Sequence, residues 1–288
     1  MNTAFIQYLA ALLLFATNGI VASQIDLASY EIVLTRTWLA FLVLLAACLV
    51  TREKAEFFRY KKDTAMLLLC GVTMGIGWSL LYEAYVYVGV SIATLLIYIG
   101  PMIVLATGPF LFGEKWTRPL VVSVIMVVCG MLCLNDITAG GVLHPWGLFC
   151  GALSAVTYAS KIILGKKAMH LPKLSATLLT LMGACAVVTV FVLVKQGALP
   201  TISEDDYLPI FILGAVNTGL GYCLYFPAIR CLPVRTVSVC GYIEAIAAVV
   251  FSMLLLGESL SLVQLIGGAL ILGGSVYCEY RARHGQGA

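Results

Sequence analysis

The chain has 288 residues, of which 61% are apolar and only 11% charged, with a formal net charge of +3 and a mean hydropathy of +1.02. A soluble domain carries about 25% charged residues, so the composition excludes an ordinary soluble fold and points to an integral membrane protein. Ten cysteines would be many for a reduced soluble protein. Here they are scattered singly through apolar runs, with no CxxC pair, and read as small packing residues.

Ten apolar segments of spanning length follow one another: residues 4–21, 32–50, 64–88, 91–112, 120–134, 145–164, 174–194, 207–229, 234–256 and 262–280. No Lys or Arg precedes the first, so it is read as a transmembrane helix and not a signal peptide, although Val21-Ala22-Ser23 resembles a cleavage site. The longest connections, 51–63, 135–144 and 195–206, leave no room for a soluble domain. With the amino terminus in the cytoplasm, fifteen of the seventeen Lys and Arg residues fall on the inner side and only Arg36 and Lys195 on the outer. That asymmetry predicts both termini to be cytoplasmic. The basic loop 51–63 is interrupted by Glu53, Glu56 and Asp63. It reads as an anchor on anionic lipid, not as a nucleic-acid site.

A faint repeat bisects the chain. Residues 98–114 run Tyr-Ile-Gly-Pro, an apolar stretch, then Gly-Glu; residues 242–258 run Tyr-Ile-Glu-Ala, an apolar stretch, then Gly-Glu. The identities Tyr98/Tyr242, Ile99/Ile243, Leu111/Leu255, Gly113/Gly257 and Glu114/Glu258 cluster at the two ends of a bilayer-length segment. Two halves, 1–140 and 141–288, then hold five spans each. Because five is odd, the second half crosses the membrane in the opposite sense. The expected fold is therefore an all-α membrane protein of ten transmembrane helices arranged as two inverted five-helix repeats. This plan recurs among secondary transporters, with the substrate site between the halves near the midplane. Small-residue pairs predict close helix crossings at Gly71/Gly75, Gly147/Gly151/Ala155, Gly214/Thr218/Gly221, Gly267-Gly268 and Gly273-Gly274.

Carboxylates and rings inside the spans are the candidate site. Glu244 falls near the middle of its segment, where an ionised form is poorly solvated. It suits a proton-coupling carboxylate or an amine-binding group; the alternative is a structural carboxyl bonded to a helix bearing Asn18 or Asn217. Glu83 lies amid Trp78, Tyr82, Tyr85 and Tyr87, and positions 78, 82 and 85 share a helical face. They form either an aromatic-walled cation site or an interfacial belt. Tyr98 and Tyr242 are repeat-equivalent, and Tyr98 adjoins the helix-breaking Gly100-Pro101. By this reading the first half keeps the bend and the second keeps the charge. Tyr158, Asn217, Tyr222 and Tyr225 are further candidates for the same cavity. Arg36, with Glu31 about one turn before it, is either an ion-paired or snorkelling anchor, or else a gate or anionic-substrate contact. Lys161, one turn from the inner end of its helix, is expected to snorkel. Glu114 and Glu258 are read as structural or gating groups at the membrane surfaces. No GxxxxGK[ST] loop is present, and His144, His170 and His284 are scattered in loops. No cofactor and no metal are expected.

These residues resemble the drug/metabolite transporter superfamily, in particular the ten-helix EamA-type exporters, over essentially the whole chain. The features that carry the resemblance are the ten-helix count, the duplication, and Gly113-Glu114 with Gly257-Glu258. To these are added Arg36, Ala84 with Gly89-Val90-Ser91-Ile92-Ala93, and Tyr242-Ile243-Glu244. The chain departs from the family in having Glu244-Ala245 where Glu-Pro is frequent, and Thr17 and Tyr158 near positions where tryptophan is common. The resemblance implies outward movement of amino acids, their derivatives or other small metabolites. The expected protein is thus a multi-pass exporter in a bacterial plasma membrane, a monomer or weak homodimer in contact with lipid, with protons as a coupling ion. A multidrug exporter of cationic amphiphiles is the alternative. An intramembrane enzyme acting on a lipid is the remote one, because the acidic cluster Glu204-Asp205-Asp206 has no partner in the sequence.

Overall fold

The computed structural model describes residues 2–52, 57, 59–113, 117–134, 144–168, 170–256 and 262–284. Their regular structure is entirely helical: α1 (Asn2–Ala16), α2 (Asn18–Ala22), α3 (Ser29–Thr51), α4 (Lys61–Ile97), α5 (Ile99–Phe112), α6 (Arg118–Leu134), α7 (Pro145–Lys167), α8 (Lys173–Gln196), α9 (Tyr207–Phe211), a π-helical segment (Ile212–Leu220), α10 (Gly221–Cys231), α11 (Val234–Cys240), α12 (Ile243–Leu256) and α13 (Leu262–His284). Among the described residues, six stretches are long and apolar enough to cross a membrane: Thr3–Ala22, Ser29–Thr51, Lys61–Gly89, Pro145–Lys167, Lys173–Gln196 and Glu204–Cys231. Shorter apolar helices cover Arg118–Cys133 and Leu265–Gly274. In a bilayer a backbone must satisfy its own hydrogen bonds, which helices do, so this is a multi-pass helical membrane protein.

Local chemistry explains where the helices start and stop. Proline sits at the start of α7, and Pro172 and Pro233 precede α8 and α11, positions where the missing N–H costs nothing. The Glu31 carboxylate accepts the Ala28 N–H at 2.9 Å and caps α3. Gly113 and Gly197 end α5 and α8 in the left-handed region. Gly89, at φ 78 and ψ 165, breaks the long run of α4, where the sequence predicts the boundary between its third and fourth spans.

Several breaks fall deep in the bundle. α1 ends at Ala16 and resumes as α2 at Asn18. α4 gives way to α5 at Tyr98, and α11 to α12 at Gly241 and Tyr242. The expectation that only the first half keeps the bend is therefore corrected: the helix is interrupted both at Tyr98 and at Tyr242, with Pro101 near the first and no proline near the second. Pro101 itself lies in the first turn of α5, so it begins a helix instead of kinking one. Residues 212–220, predicted as part of a regular span, wind as a π-helix, and Thr218 Oγ1 donates to the carbonyl of Leu213, five residues back, at 2.7 Å. Wide turns of this kind frequently mark functional places in helices.

Glycines set the closest crossings. A Cβ on Gly71 would overlap the Thr180 carbonyl oxygen outright and come within 2.8 Å of its carbon, and one on Gly183 would sit 2.5 Å from the Leu68 oxygen. The backbones of α4 and α8 thus meet directly. Gly75, Gly147, Gly151, Gly214 and Gly221 are also filled against neighbours, as their spacing predicts. The main core gathers Tyr8, Leu12, Ile162, Leu181, Phe226, Ile229 and Leu232. A second core joins Leu105, Val127, Met131, Tyr242 and Ile271. At one end of the bundle Asp63 accepts the His170 backbone N–H at 2.8 Å and lies 3.0 Å from its Nδ1. At the other, Asp206 accepts the Asp26 N–H at 3.0 Å.

Candidate functional site

A cavity of about 560 Å³ runs from the α2–α3 connection, at Ser23 and Ser29, into the bundle as far as Lys161, Tyr225 and Glu244. This is the size of a small-molecule pocket, about 300–1,000 Å³. Its wall is largely aromatic. α4 contributes Trp78, Tyr82 and Tyr85, one face of the helix, and Tyr98 follows at the α4–α5 break. α7 contributes Tyr158, α10 contributes Tyr222 and Tyr225, and α1 contributes Phe15. The rings pack on one another: Phe15 to Tyr222 at 4.9 Å between centroids, Trp78 to Tyr222 at 6.2 Å, and Tyr8 to Tyr225 at 5.6 Å.

Among the described residues three charged side chains reach this wall: Arg36 from α3, Lys161 from α7 and Glu244 from the first turn of α12. Glu244 interacts through space with Lys161 and then Arg36. Arg36 lies over the Trp78 ring, 4.8 Å from its centroid, and not against Glu31, whose carboxylate is spent on its helix cap. The expected Arg36–Glu31 anchor is corrected accordingly. Lys161 does not snorkel: it is 8% exposed, and its ammonium sits 4.4 Å from the Tyr158 ring, 5.3 Å from Tyr225 and 6.0 Å from Tyr222. α7 runs on to Lys167, so Lys161 stands more than a turn and a half from the helix end and is buried among its neighbours. The sequence holds a usable signal, because Lys161 follows Tyr158 by three residues and must share its helical face.

The remaining predicted residues distribute as follows. Tyr242 is buried and donates its hydroxyl to the Tyr98 carbonyl at 2.7 Å, with the rings 5.6 Å apart; it stands behind the cavity wall. Gly100 is packed against Tyr158, where a Cβ would come within 2.7 Å of the ring. It lets α5 approach α7 and sets the position of that ring. Asn217, buried in the π-helical segment, donates to Thr17 Oγ1 at 2.8 Å and Asn18 Oδ1 at 3.1 Å. It joins the π-helix to the α1–α2 break, and Asn18 itself lines the cavity. Glu83 does not line the cavity; it pairs with Lys195 at the far end of α8. Five residues beyond Trp78, it leaves α4 in a different direction from the Trp78 face. Glu114 and Glu258 lie outside the described residues. Among the described residues no group of three or more His, Cys, Asp or Glu could hold a metal ion.

Comparison with known proteins agrees with this architecture. The EamA-like transporter family matches residues 2–136 and again 145–278. An uncharacterized transporter of Bacillus subtilis (strain 168) is 25% identical over 95% of this chain and 88% of its own. A protein of Salmonella typhimurium (strain LT2) named "Probable amino-acid metabolite efflux pump" is 26% identical over 76% of this chain and 79% of its own. A solved crystal structure, 18% identical, superposes over 99% of each chain with a TM-score of 0.83, a likeness of fold. With the family matched over both stretches of an all-helical, multi-pass chain, the protein belongs to the EamA-like transporter family and is a transporter, not an enzyme.

Proposed function

We propose that the protein exports an amino acid or a similar small metabolite across a bacterial plasma membrane by alternating access, with proton exchange at Glu244 as the coupling step. The observation that carries this reading is the cavity. It is deep, aromatic and open at one end, and Glu244 stands at its inner wall beside two cations. Its walls come from both halves of the chain: α1 to α5 supply Phe15, Arg36, Trp78 and Tyr98, and α7, α10 and α12 supply Tyr158, Tyr222 and Glu244. Relative motion of the halves would open it to either side. The helix breaks at Thr17, Tyr98 and Gly241–Tyr242, and the π-helical segment, are the places where such motion is least costly. The name of the Salmonella relative supports the cargo class.

Ten spans, inverted halves and cytoplasmic termini complete the reading. In that topology the Ser23–Ser29 mouth faces outward, and the sealed end, where Lys166 donates to the carbonyls of Ile229 and Leu232, faces the cytoplasm. Proteoliposomes preloaded with unlabelled amino acids and related metabolites, tested for counterflow of the labelled compounds, check the function; a full metabolite panel that never moves removes it. Sidedness has its own test. With accessible native cysteines replaced, Arg59→Cys and Glu204→Cys, both at exposed positions, are expected to label from opposite faces of the membrane. Labelling from one face rejects the topology. The multidrug alternative draws on the aromatic wall but meets Arg36 and Lys161, which repel a cationic cargo.

A further inference from the structure

If the cavity is the transport site proposed above, its charges bear on what it recognises. Arg36, Lys161 and Glu244 are the charged groups on its wall among the described residues. Among those residues none of the three has an oppositely charged atom within the 4.0 Å of a salt bridge. Arg36 Nε is buried with no hydrogen-bond acceptor. Lys161 is held by three phenol rings and no carboxylate. Glu244 reaches the two cations only through space. Charges this deep in a membrane protein are costly unless something pairs them, and aromatic faces compensate a cation only in part.

The balance has a sign. With all three ionised, two cations face one carboxylate and the wall carries one excess positive charge; with Glu244 protonated it carries two. An incoming ammonium group raises that excess; an incoming carboxylate lowers it. The two cations also offer what a carboxylate needs: N–H donors in a water-poor place where charge-assisted hydrogen bonds are strong. The aromatic wall supplies the contact for an apolar body. We propose that Lys161 and Arg36 form a carboxylate seat, so that the site reads the carboxylate of its cargo and a free ammonium group is neither required nor sufficient. The cargo class is a small organic carboxylate with an apolar or aromatic body, a class that includes α-keto acids and N-acylated amino acids as well as free amino acids. Lys161 is the specificity-determining residue, and Glu244 is left for the proton.

Four matched pools decide the matter on the purified full chain: free amino acids, the corresponding α-keto acids, their N-acetyl derivatives, and the amines left by decarboxylation. Thermal stabilisation in detergent gives binding, and competition against counterflow in proteoliposomes gives recognition during transport. The three carboxylate pools are expected to act, the keto-acid and N-acetyl pools at least as well as the free amino acids. The amines are expected to be weaker by at least about tenfold. Lys161→Gln should weaken the carboxylate pools by about tenfold or more, and Lys161→Arg should restore them. An amine pool that matches the amino acids overturns the seat, as does failure of the keto-acid and N-acetyl pools while amino acids still act; in both cases the transport reading survives. Silence of all three carboxylate pools overturns it too, and metabolite release from cells with and without the protein then tests the transport reading separately. If Lys161→Gln fails to fold, the ligand series on the unaltered chain decides alone.

Discussion

Glu244→Gln is expected to abolish pH-driven transport while leaving the protein folded and in the membrane. Gln keeps the size and hydrogen-bonding reach of Glu but holds no exchangeable charge. The carboxylate sits at the inner wall of the cavity, coupled through space to Lys161 and Arg36. In the coupling proposed above, an imposed pH gradient acts on transport through the group that takes up and releases the proton, which is Glu244. The expected loss in the gradient-driven initial rate is about a hundredfold, equivalent to about 2.7 kcal/mol of barrier. Counterflow without a gradient should fall less, because exchange of cargo for cargo needs no net proton movement. The measurement is initial uptake at several pH gradients in proteoliposomes of matched protein content. A variant that keeps the full pH response of the unaltered chain would assign Glu244 a structural role.

The largest effect on stability is expected at a residue that touches no ligand. Gly71→Ala drives a methyl group into the Thr180 carbonyl and within 3.0 Å of the Ala184 nitrogen. Both are backbone groups of α8, so no rotamer change relieves the clash and the helices must separate. Overpacking of this kind costs about 3 kcal/mol, and the apparent melting temperature should drop by roughly 6–12 °C. Gly268→Ala is the control: the nearest neighbour of its methyl group would be the Ile246 side chain at 3.9 Å, ordinary contact, and it should melt close to the parent. Equal melting of Gly71→Ala and the parent would refute direct backbone contact between α4 and α8.

The chain is legible in the sequence where the bilayer dictates residue type. Apolar runs give the helices their places, and Gly89, Gly113 and Pro172 announce their ends. The close crossings at Gly71, Gly75 and Gly147 follow from spacing, because only small residues let backbones meet in lipid. The cavity is legible where a ring or charge is too costly to face lipid, as at Trp78, Tyr98 and Glu244. What fails is azimuth. Depth along a helix can be counted, but the direction of a side chain is set by the neighbouring helices. Lys161 departs from expectation for that reason by turning into the cavity, and Glu83, left between a cavity site and an interfacial belt, turns to Lys195. The π-helical segment is illegible for a related reason. Its wide turns are stabilised by Asn217 reaching Thr17 and Asn18, about two hundred residues away in the chain, and local pattern carries no trace of them.

The contact between Tyr98 and Tyr242 carries an evolutionary consequence. If the two halves are the inverted repeats proposed above, Tyr98 and Tyr242 are counterparts, and counterparts ordinarily occupy similar surroundings at a distance from each other. These two instead touch, the hydroxyl of one on the backbone of the other. When copies of a segment face each other, such self-contact is confined to positions close to the line about which they are related. Elsewhere each copy drifts independently, as Gly100 and Glu244 already have. At the tyrosine pair the rings lie 5.6 Å apart, so replacing either ring alters the packing of the other. On that reading substitution there should arise in pairs, and this small junction should be the slowest part of the two halves to lose its kinship.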